Sequence, residues 1–331
     1  MRPSAPRTAE TRGVLYPARL PSMRRVPAPP EAAEFVRWFW IPEWDIAPGR
    51  TSRQYIVSYP ASNLVVQPEQ VTLSGPTTRV SHRDLAGRGW AVGALLRPAA
   101  VPTLAPDPGR LRDREVVFAA PDLHAAVVAA MAYEDADQRH ATAVAAFTAW
   151  LTRNLPAPTD RDRLANRMAE LIEADSAVQS VTDAAGRLGV SPRTLQRLAL
   201  QYVGLSPAEM IRRRRLQEAA QRVRLDPTAN LAEIAAELGY ADQAHLTNEF
   251  RHRLGFTPAT YRGHLRAAPS APAEGGGAAL GAADDAAVGG PSATGRSVRS
   301  ATRRLRVEAA EPVLARIAAG RPSREATSED G

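Results

Sequence analysis

The chain has 331 residues, a formal net charge of +7 and no cysteine, and its basic residues are arginines throughout. This length accommodates two domains of ordinary size. The absence of cysteine excludes disulfides, thiol nucleophiles and cysteine-ligated zinc, and no two of the six histidines stand at His-x-His or His-x-x-x-His spacing, so the sequence indicates no metal site and no cofactor.

The first thirty residues are rich in Pro, Arg and Ala, and this composition predicts a flexible arm over 1–30. The arm contains no apolar stretch of signal-peptide length. No apolar run anywhere in the chain approaches the roughly 18 residues that a membrane span requires. We therefore expect a cytoplasmic protein that has no membrane partner.

From about residue 31 to residue 120, short β-favouring segments alternate with Pro, Gly, Asn and Ser. The segments RQYIVSYP, NLVVQP, VTLSG and WAVGALLRP predict a small antiparallel sheet or barrel. The aromatic cluster FVRWFWIPEW has two interpretations, an ordinary core or the lining of an effector pocket. The pocket interpretation involves Trp38, Trp40, Trp44 and Trp90.

The apolar period then changes to that of a helix. PDLHAAVVAAMAYE and ATAVAAFTAWLTRNL predict two helices within residues 121–158, which connect the β-rich region to the rest of the chain or serve in a dimer. Residues 160–266 are helical in pattern throughout. Residues 267–331 contain too few large apolar groups for a core and predict a disordered tail, with a candidate helix over 296–320.

One pattern occurs twice within the helical region. In the first copy Ser180 predicts a helix N-cap, Gly189 a left-handed helix end, and Ser191 with Pro192 the start of a longer helix. Leu195 and the residues at helical spacing from it form the apolar face. A short helix, a turn that contains glycine and a longer helix together predict a helix-turn-helix.

The second copy follows about fifty residues later. Asn230 predicts the N-cap, Gly239 the end of the short helix, and a second helix runs from about residue 242 to residue 254 with Leu246 and Phe250 inward. Between the copies, SPAEMIRRRRLQEAAQRVRL begins with the capping-box residues Ser206 and Glu209 and contains no helix breaker. It predicts one long helix that holds the two copies at a fixed separation.

The two segments SVTDAAGRLGVSPRTLQRLALQYVGLSP and IAAELGYADQAHLTNEFRHRLGFTPATYR resemble the two halves of the AraC/XylS-type DNA-binding domain. The resemblance covers residues 178–262, roughly a quarter of the chain. It implies a sequence-specific transcriptional regulator whose two recognition helices enter successive major grooves of double-stranded promoter DNA. It also implies a cupin-like N-terminal sensory domain, with a small-molecule effector, a homodimer or RNA polymerase as further partners.

The outward residues in the N-terminal half of each recognition helix are the candidates for base contacts. They are Arg193, Thr194, Gln196, Arg197, Gln243, His245, Thr247 and Asn248. Asn248 stands where Arg197 stands in the first copy, and the family commonly has Arg there. Ala199 is a second departure, since a Phe is usual at that position. The candidates for phosphate contacts are Ser191, Arg212, Arg251, Arg253 and Arg262.

Two alternatives from other classes remain. The first is an enzyme that carries a DNA-binding module, as in alkylation-response proteins, but their reactive cysteine is absent here. A hydrolase or oxidase within residues 31–118 is the version that remains, although the sequence shows no nucleophile motif, phosphate loop or metal cluster there. We therefore expect no enzymatic activity. The second is an architectural protein without sequence preference, which a low specificity ratio at physiological salt would indicate.

Overall fold

The computed structural model describes residues 22–56, 59–78 and 81–267. The tail and its candidate helix lie outside the described residues. The prediction of a flexible arm over 1–30 is wrong for Ser22–Pro27, which form a strand that pairs with residues 38–43, and residues 1–21 lie outside the described residues. Val26 of this strand packs against the N-terminal core, which stabilises the strand.

The described N-terminal region forms an antiparallel sheet and a separate strand pair. Its strands are β1 (Ser22–Pro27), β2 (Val36–Asp45), β3 (Ser52–Ile56), β4 (Asn63–Val66), β5 (Val71–Ser74), β6 (Ser81–Leu85), β7 (Arg88–Trp90), β8 (Val92–Leu96) and β9 (Glu115–Val117). The main sheet has the order β1-β2-β8-β4-β5-β9, with β7 paired to the end of β2, whereas β3 pairs with β6. Every pairing is antiparallel, as the turn-rich sequence predicts.

Helices cover one face of the main sheet. The short α1 (Val101–Leu104) precedes β9, and α2 (Pro121–Met131) and α3 (Ala136–Asn154) pack on the sheet. The ring of Phe39 on β2 meets that of Phe147 on α3 edge to face, with centroids 5.5 Å apart. The two helices predicted as connectors therefore belong to the N-terminal core, because their apolar stripes bury the inner face of the sheet.

The C-terminal region is all-helical. It consists of α4 (Asp160–Ala174), α5 (Val181–Arg187), α6 (Pro192–Tyr202), α7 (Pro207–Leu225), α8 (Leu231–Glu237), α9 (Gln243–Leu254) and α10 (Pro258–Ala267). A β-rich domain followed by an all-α domain with two helix-turn-helix units is the predicted fold class, and the structure confirms it. No described helix combines the length and the apolarity that crossing a membrane requires.

The local signals in the sequence form the helix ends that they predict. Ser180 and Ser206 each begin a helix with a complete capping box. The side chain of Asn230 accepts a 2.9 Å hydrogen bond from the backbone N–H of Ala232. Gly189 follows the first short helix with a φ of 65°, a left-handed conformation that disfavours any side chain.

Each helix-turn-helix unit has its own apolar core, and α7 contributes to both. Met210 and Ile211 near its start are buried with α4, α5 and α6, whereas Leu216 and Val223 are buried with α8, α9 and α10. The linker helix is therefore packed at both ends. This packing fixes the separation of the two units.

Tyr202 fills the first core beside Ala199, the small residue that departs from the family pattern. Its ring is 4% exposed, and its hydroxyl donates a 2.7 Å hydrogen bond to Asp162 on α4. Burial raises the pKa of Tyr202 to about 12, and the hydrogen bond to Asp162 acts in the same direction. The phenol therefore stays protonated and links α6 to α4.

The first helix-turn-helix unit lies directly against the N-terminal domain. Asn166 on α4 is 5% exposed, and its side chain accepts from the N–H of Ala99 and donates to the carbonyl of Glu34, both at 2.9 Å. The α6–α7 turn is equally close, since a Cβ at Gly204 would lie 2.7 Å from the backbone of Pro108. These contacts attach the first unit to the β-rich domain.

Candidate nucleic-acid interface

The helix predicted to be the first recognition helix, α6, is fixed at its start and along its inner face. Ser191 caps it by accepting a 3.2 Å hydrogen bond from the N–H of Thr194, and Pro192 occupies the first helical position. Leu195 and Leu198 are at most 1% exposed. The opposite face is therefore turned to solvent.

Arg193, Gln196 and Arg197 lie on this solvent-facing side, and all three are exposed. Within the part of the chain that the structure describes, no hydrogen bond or ion pair holds either guanidinium. A free guanidinium fork matches the two acceptors of guanine, and the amide of Gln matches adenine. The side chains that the sequence places outward are therefore available to a ligand.

The helix predicted to be the second recognition helix, α9, presents a different set of groups. Asp242 caps it by accepting a 2.7 Å hydrogen bond from the N–H of His245. The Nδ1 atom of His245 accepts from the N–H of Ala241 at 3.4 Å, and its ring meets that of Tyr240 edge to face at 5.3 Å. These contacts orient the imidazole at the start of the helix, where His245 is exposed.

The other predicted base-contacting residues of α9 share its outer face. Gln243 and Asn248 are exposed, Thr247 is half-buried, and Leu246 between them is fully buried. Asn248 occupies the position that corresponds to Arg197. The two helices therefore differ in chemistry, because the first offers guanidinium groups and the second offers amides, an imidazole and a hydroxyl.

Two arginines of the linker helix join the two units. Arg214 is 3% exposed and donates a 2.9 Å hydrogen bond to the carbonyl of Val178, which precedes the first unit. Arg215 donates to the carbonyl of Gln179 at 2.8 Å and to that of Gly239, in the second unit, at 3.1 Å. These bonds connect the linker helix to both helix-turn-helix units.

Comparison with known proteins agrees with this geometry. Residues 184–264 match the family profile described as a helix-turn-helix domain. A putative AraC-like transcription regulator of Streptomyces lividans is 36% identical over 85 residues, which cover 26% of this chain and 28% of that protein. The probable transcription factor PqrA of Proteus vulgaris is 33% identical over 78 residues, which cover 24% of this chain and 63% of that protein.

The chain carries an AraC-type helix-turn-helix domain. The N-terminal region is a separate match, because residues 24–116 fit the family profile described as a domain of unknown function (DUF6597). The chain spans less than two thirds of the length of either curated relative. The likeness therefore concerns the AraC-type domain and does not extend to the whole protein.

Two solved structures are also similar to parts of the chain. An AraC-type transcriptional regulator of Chromobacterium violaceum is 28% identical, with 31% of this chain and 91% of that chain covered and a TM-score of 0.28. ToxT of Vibrio cholerae is 12% identical, with 74% of this chain and 97% of that chain covered and a TM-score of 0.35.

The residues predicted to contact phosphate occupy three kinds of environment. Arg212 and Arg251 are exposed, and no described residue pairs with them. Ser191 uses its hydroxyl as the cap of α6. Arg253 and Arg262 already bond within the protein, the former to Glu249 and to the carbonyl of Thr78, and the latter to the carbonyl of Ala229.

Sequence reasoning did not find the structural role of the arginine run 212–215. Arg213 and Arg214 are each 3% exposed, and Arg215 is half-buried. Helical periodicity indicates that part of the run is buried, because four consecutive residues cover a full helical turn and some of them must face the neighbouring elements. Only Arg212 of the run is left exposed to solvent.

Three tryptophans of the predicted pocket, Trp38, Trp40 and Trp44, lie on the outer face of β2. The indole N–H of Trp40 donates to the side chain of Asn63 at 3.1 Å, and the ring covers Gly93, where an added Cβ would lie 2.1 Å away. The indole N–H of Trp44 donates to the carbonyl of Ala86 at 3.3 Å. Both rings are therefore held against the backbone of the sheet.

Trp38 and Trp90 have different surroundings. The guanidinium groups of Arg25 and Arg37 lie 4.5 and 4.6 Å from the Trp38 ring, a distance at which a cation and an aromatic ring attract each other. Tyr59 meets the same ring edge to face at 5.0 Å. Trp90 is half-buried against the N-terminal core.

A small cavity lies between the two domains. The N-terminal domain contributes Ser62 and Arg97 to its lining, and the AraC-type domain contributes Glu173 and Tyr202. The tryptophans are not among its lining residues. The effector pocket that the aromatic cluster suggested therefore stays a prediction.

Proposed function

We propose that this protein is a sequence-specific DNA-binding transcriptional regulator. Its AraC-type domain would place α6 and α9 in adjacent major grooves on one face of promoter DNA. The observation that carries the proposal is the pair of recognition helices, each with an exposed polar N-terminal half, joined by the braced linker helix α7. A fixed separation of two base-reading helices requires two sequence elements at a fixed spacing.

The proposed base contacts divide between the two helices. On α6 they are made by Arg193, Thr194, Gln196 and Arg197, and on α9 by Gln243, His245, Thr247 and Asn248. Arg212, Arg251 and the N-terminal end of α6 at Ser191 would hold phosphates. To contact a phosphate, Arg253 and Arg262 would have to share their guanidinium groups with their partners within the protein or leave those partners.

The proposal assigns control to the N-terminal domain and no catalysis to either domain. The direct contacts of Asn166 with the β-rich domain support such control, because a change in one domain would reach the other through them. We propose that an effector or dimerisation acts through this domain and that RNA polymerase is a further partner.

The AraC-type domain contains sixteen arginines and twelve acidic residues over 161–266, so DNA binding depends on the placement of these charges more than on the net charge of the domain.

Selection of genomic DNA fragments by the intact protein at two salt concentrations tests the proposal. We expect convergence on two elements about one helical turn, or ~34 Å, apart. Arg197→Ala should reduce affinity by about 1–3 kcal/mol and abolish the preference at one position of the first element. The matched control is Arg153→Ala, which removes an exposed arginine of α3 in the N-terminal domain.

Sequence-blind binding that weakens steeply with salt, with equal effects of the two substitutions, would contradict the proposal. In that case the architectural alternative would explain the protein better, because phosphate contacts alone give such binding.

A further inference from the structure

A loop of the N-terminal domain, residues 75–78, is bound tightly to the segment 111–114. The N–H of Gly75 donates to the carbonyl of Arg114 at 3.0 Å, and the N–H of Asp113 donates to the carbonyl of Pro76 at 3.1 Å. A Cβ at Gly75 would lie 2.1 Å from the carbonyl oxygen of residue 111, so only glycine allows this approach.

Asp113 holds the end of this loop. Its carboxylate accepts from the N–H of Thr78 at 2.6 Å and from the hydroxyl of the same residue at 2.8 Å. Asp113 has a φ of 57°, and among the residues that the structure describes it is the only non-glycine residue with a positive φ. Such a conformation persists where the surrounding structure enforces it, and it often occurs at sites with a function.

Two arginines of the AraC-type domain bond to this loop from different helices. Arg213 on the linker helix α7 donates to the Thr77 hydroxyl at 3.1 Å. Arg253 on the recognition helix α9 donates to the Thr78 carbonyl at 3.1 Å and to Glu249 of its own helix at 2.9 Å. We call Thr77, Thr78, Asp113, Arg213 and Arg253 the Asp113 cluster.

The Asp113 cluster places the positive charges of Arg213 and Arg253 close to each other. Burial lowers the pKa of Arg213 to about 10, the positive charge of Arg253 acts in the same direction, and the carboxylate of Asp113 opposes both. Two guanidinium groups therefore lie near the carboxylate of Asp113, and Glu249 pairs with one of them, that of Arg253. The contact remains favourable only while Asp113 and the two threonines keep their positions.

The same face of α7 meets the N-terminal domain one turn earlier. Glu209 forms an ion pair with Arg112, the neighbour of Asp113 in the chain. Glu209 and Arg213 are four residues apart and thus lie above one another on the helix. The N-terminal domain therefore contacts the linker helix at two successive turns, in addition to its contact with α9.

We propose that the Asp113 cluster is a positioning site through which the N-terminal domain sets the placement of the second recognition helix relative to the first. The inference rests on the proposed function. The first unit is docked through Asn166 and α4, whereas Arg253 attaches the second unit near the end of α9 opposite to its base-reading residues. A shift of the loop, which continues directly from β5, would therefore turn α9 while α6 stays in place.

Two substitutions in the N-terminal domain test the cluster without changing any residue predicted to touch DNA. Thr77→Val removes one acceptor of Arg213 at nearly constant volume. Asp113→Asn removes the counter-charge and keeps a side chain that tolerates a positive φ. The matched control is Thr152→Val on α3, whose hydroxyl bonds to carbonyls within its own helix.

Hydrogen exchange of the full-length protein without DNA is the first measurement. We expect the amides in the last turns of α9 to exchange about tenfold faster in Thr77→Val and Asp113→Asn than in the wild type, with no change in Thr152→Val. Unchanged exchange in both test variants would overturn the inference. If Asp113→Asn fails to fold, Thr77→Val still decides the outcome.

The second measurement is binding to the selected two-element DNA with its natural spacer and with a spacer lengthened by half a helical turn. The wild type should discriminate between the two, and the test variants should lose about threefold or more of this discrimination. Faster exchange with unchanged discrimination would also overturn the positioning role. If the wild type selects no DNA at all, the proposed function fails, whereas the exchange result still decides whether the cluster holds α9.

Discussion

The guanidinium of Arg214 donates a 2.9 Å hydrogen bond to the carbonyl of Val178, although 36 positions separate the two residues. This bond ties the middle of the linker helix to the segment that enters the first helix-turn-helix unit. Its neighbour Arg215 reaches Gln179 and Gly239, so successive arginines connect the linker to both units. The arginine run looks like a basic patch in the sequence, but Arg214 and Arg215 form hydrogen bonds within the protein that connect the linker helix to both units.

Arg214→Ala should destabilise the protein by about 2–4 kcal/mol, because it leaves the buried carbonyl of Val178 and the carboxylate of Glu218 without this partner. Thermal or denaturant unfolding measures the change. The adjacent Arg212→Ala removes an exposed arginine and should change stability by less than about 0.5 kcal/mol. Equal losses in the two variants would contradict the structural role of Arg214.

Asn248→Arg should change the base that the second element prefers. An amide pairs with adenine and a guanidinium with guanine, so we expect the preference at one position to shift from adenine to guanine while the first element stays unchanged. Site selection with the variant and the wild type in parallel provides the measurement. An identical selected site for both proteins would mean that Asn248 does not contact a base.

Gly204→Ala should destabilise the protein by about 2 kcal/mol or more, because it combines a φ of 78° with a Cβ that would lie 2.7 Å from the backbone of Pro108. Gly255→Ala is the matched comparison, since Gly255 has a φ of 81° and no atom within 4 Å of the added Cβ. It should cost about 1 kcal/mol from backbone strain alone. Similar free energies of unfolding for the two variants would show that the contact between α6–α7 and the N-terminal domain is not close in solution.

Glu209 should make stability depend on pH in a defined direction. Burial raises the pKa of this carboxyl, but the hydrogen bonds from Ser206 and the ion pair with Arg112 outweigh it, so the pKa lies below the ordinary 4.5. A depressed pKa in the folded state stabilises the protein fully above the ordinary value, and this stabilisation disappears as pH falls through the lower folded value. The free energy of unfolding of the wild type should therefore fall towards that of Glu209→Gln as pH drops below 4.5. Denaturant titrations across that range check this, and parallel curves for the two proteins would refute it.

The sequence by itself determined the elements of the AraC-type domain. The caps at Ser180, Ser206 and Asn230 and the left-handed turn at Gly189 depend on groups within a few residues of each other. The inward and outward faces of α6 and α9 follow from the apolar period of 3.6 residues. Helix caps and apolar periodicity both involve residues that are close together in the chain. Both features could therefore be predicted from the sequence.

The tertiary structure alone decided which polar residues form hydrogen bonds within the protein. Arg253 looked like a phosphate contact, yet it bonds to Thr78 across 175 positions, and Arg213 reaches Thr77 across 136. The helices α2 and α3 looked like connectors, yet they complete the core of the sheet. An arginine on a helix has the same local sequence whether it faces solvent, DNA or a buried carbonyl, because its partner is set by the packing of distant elements and not by its neighbours in the chain.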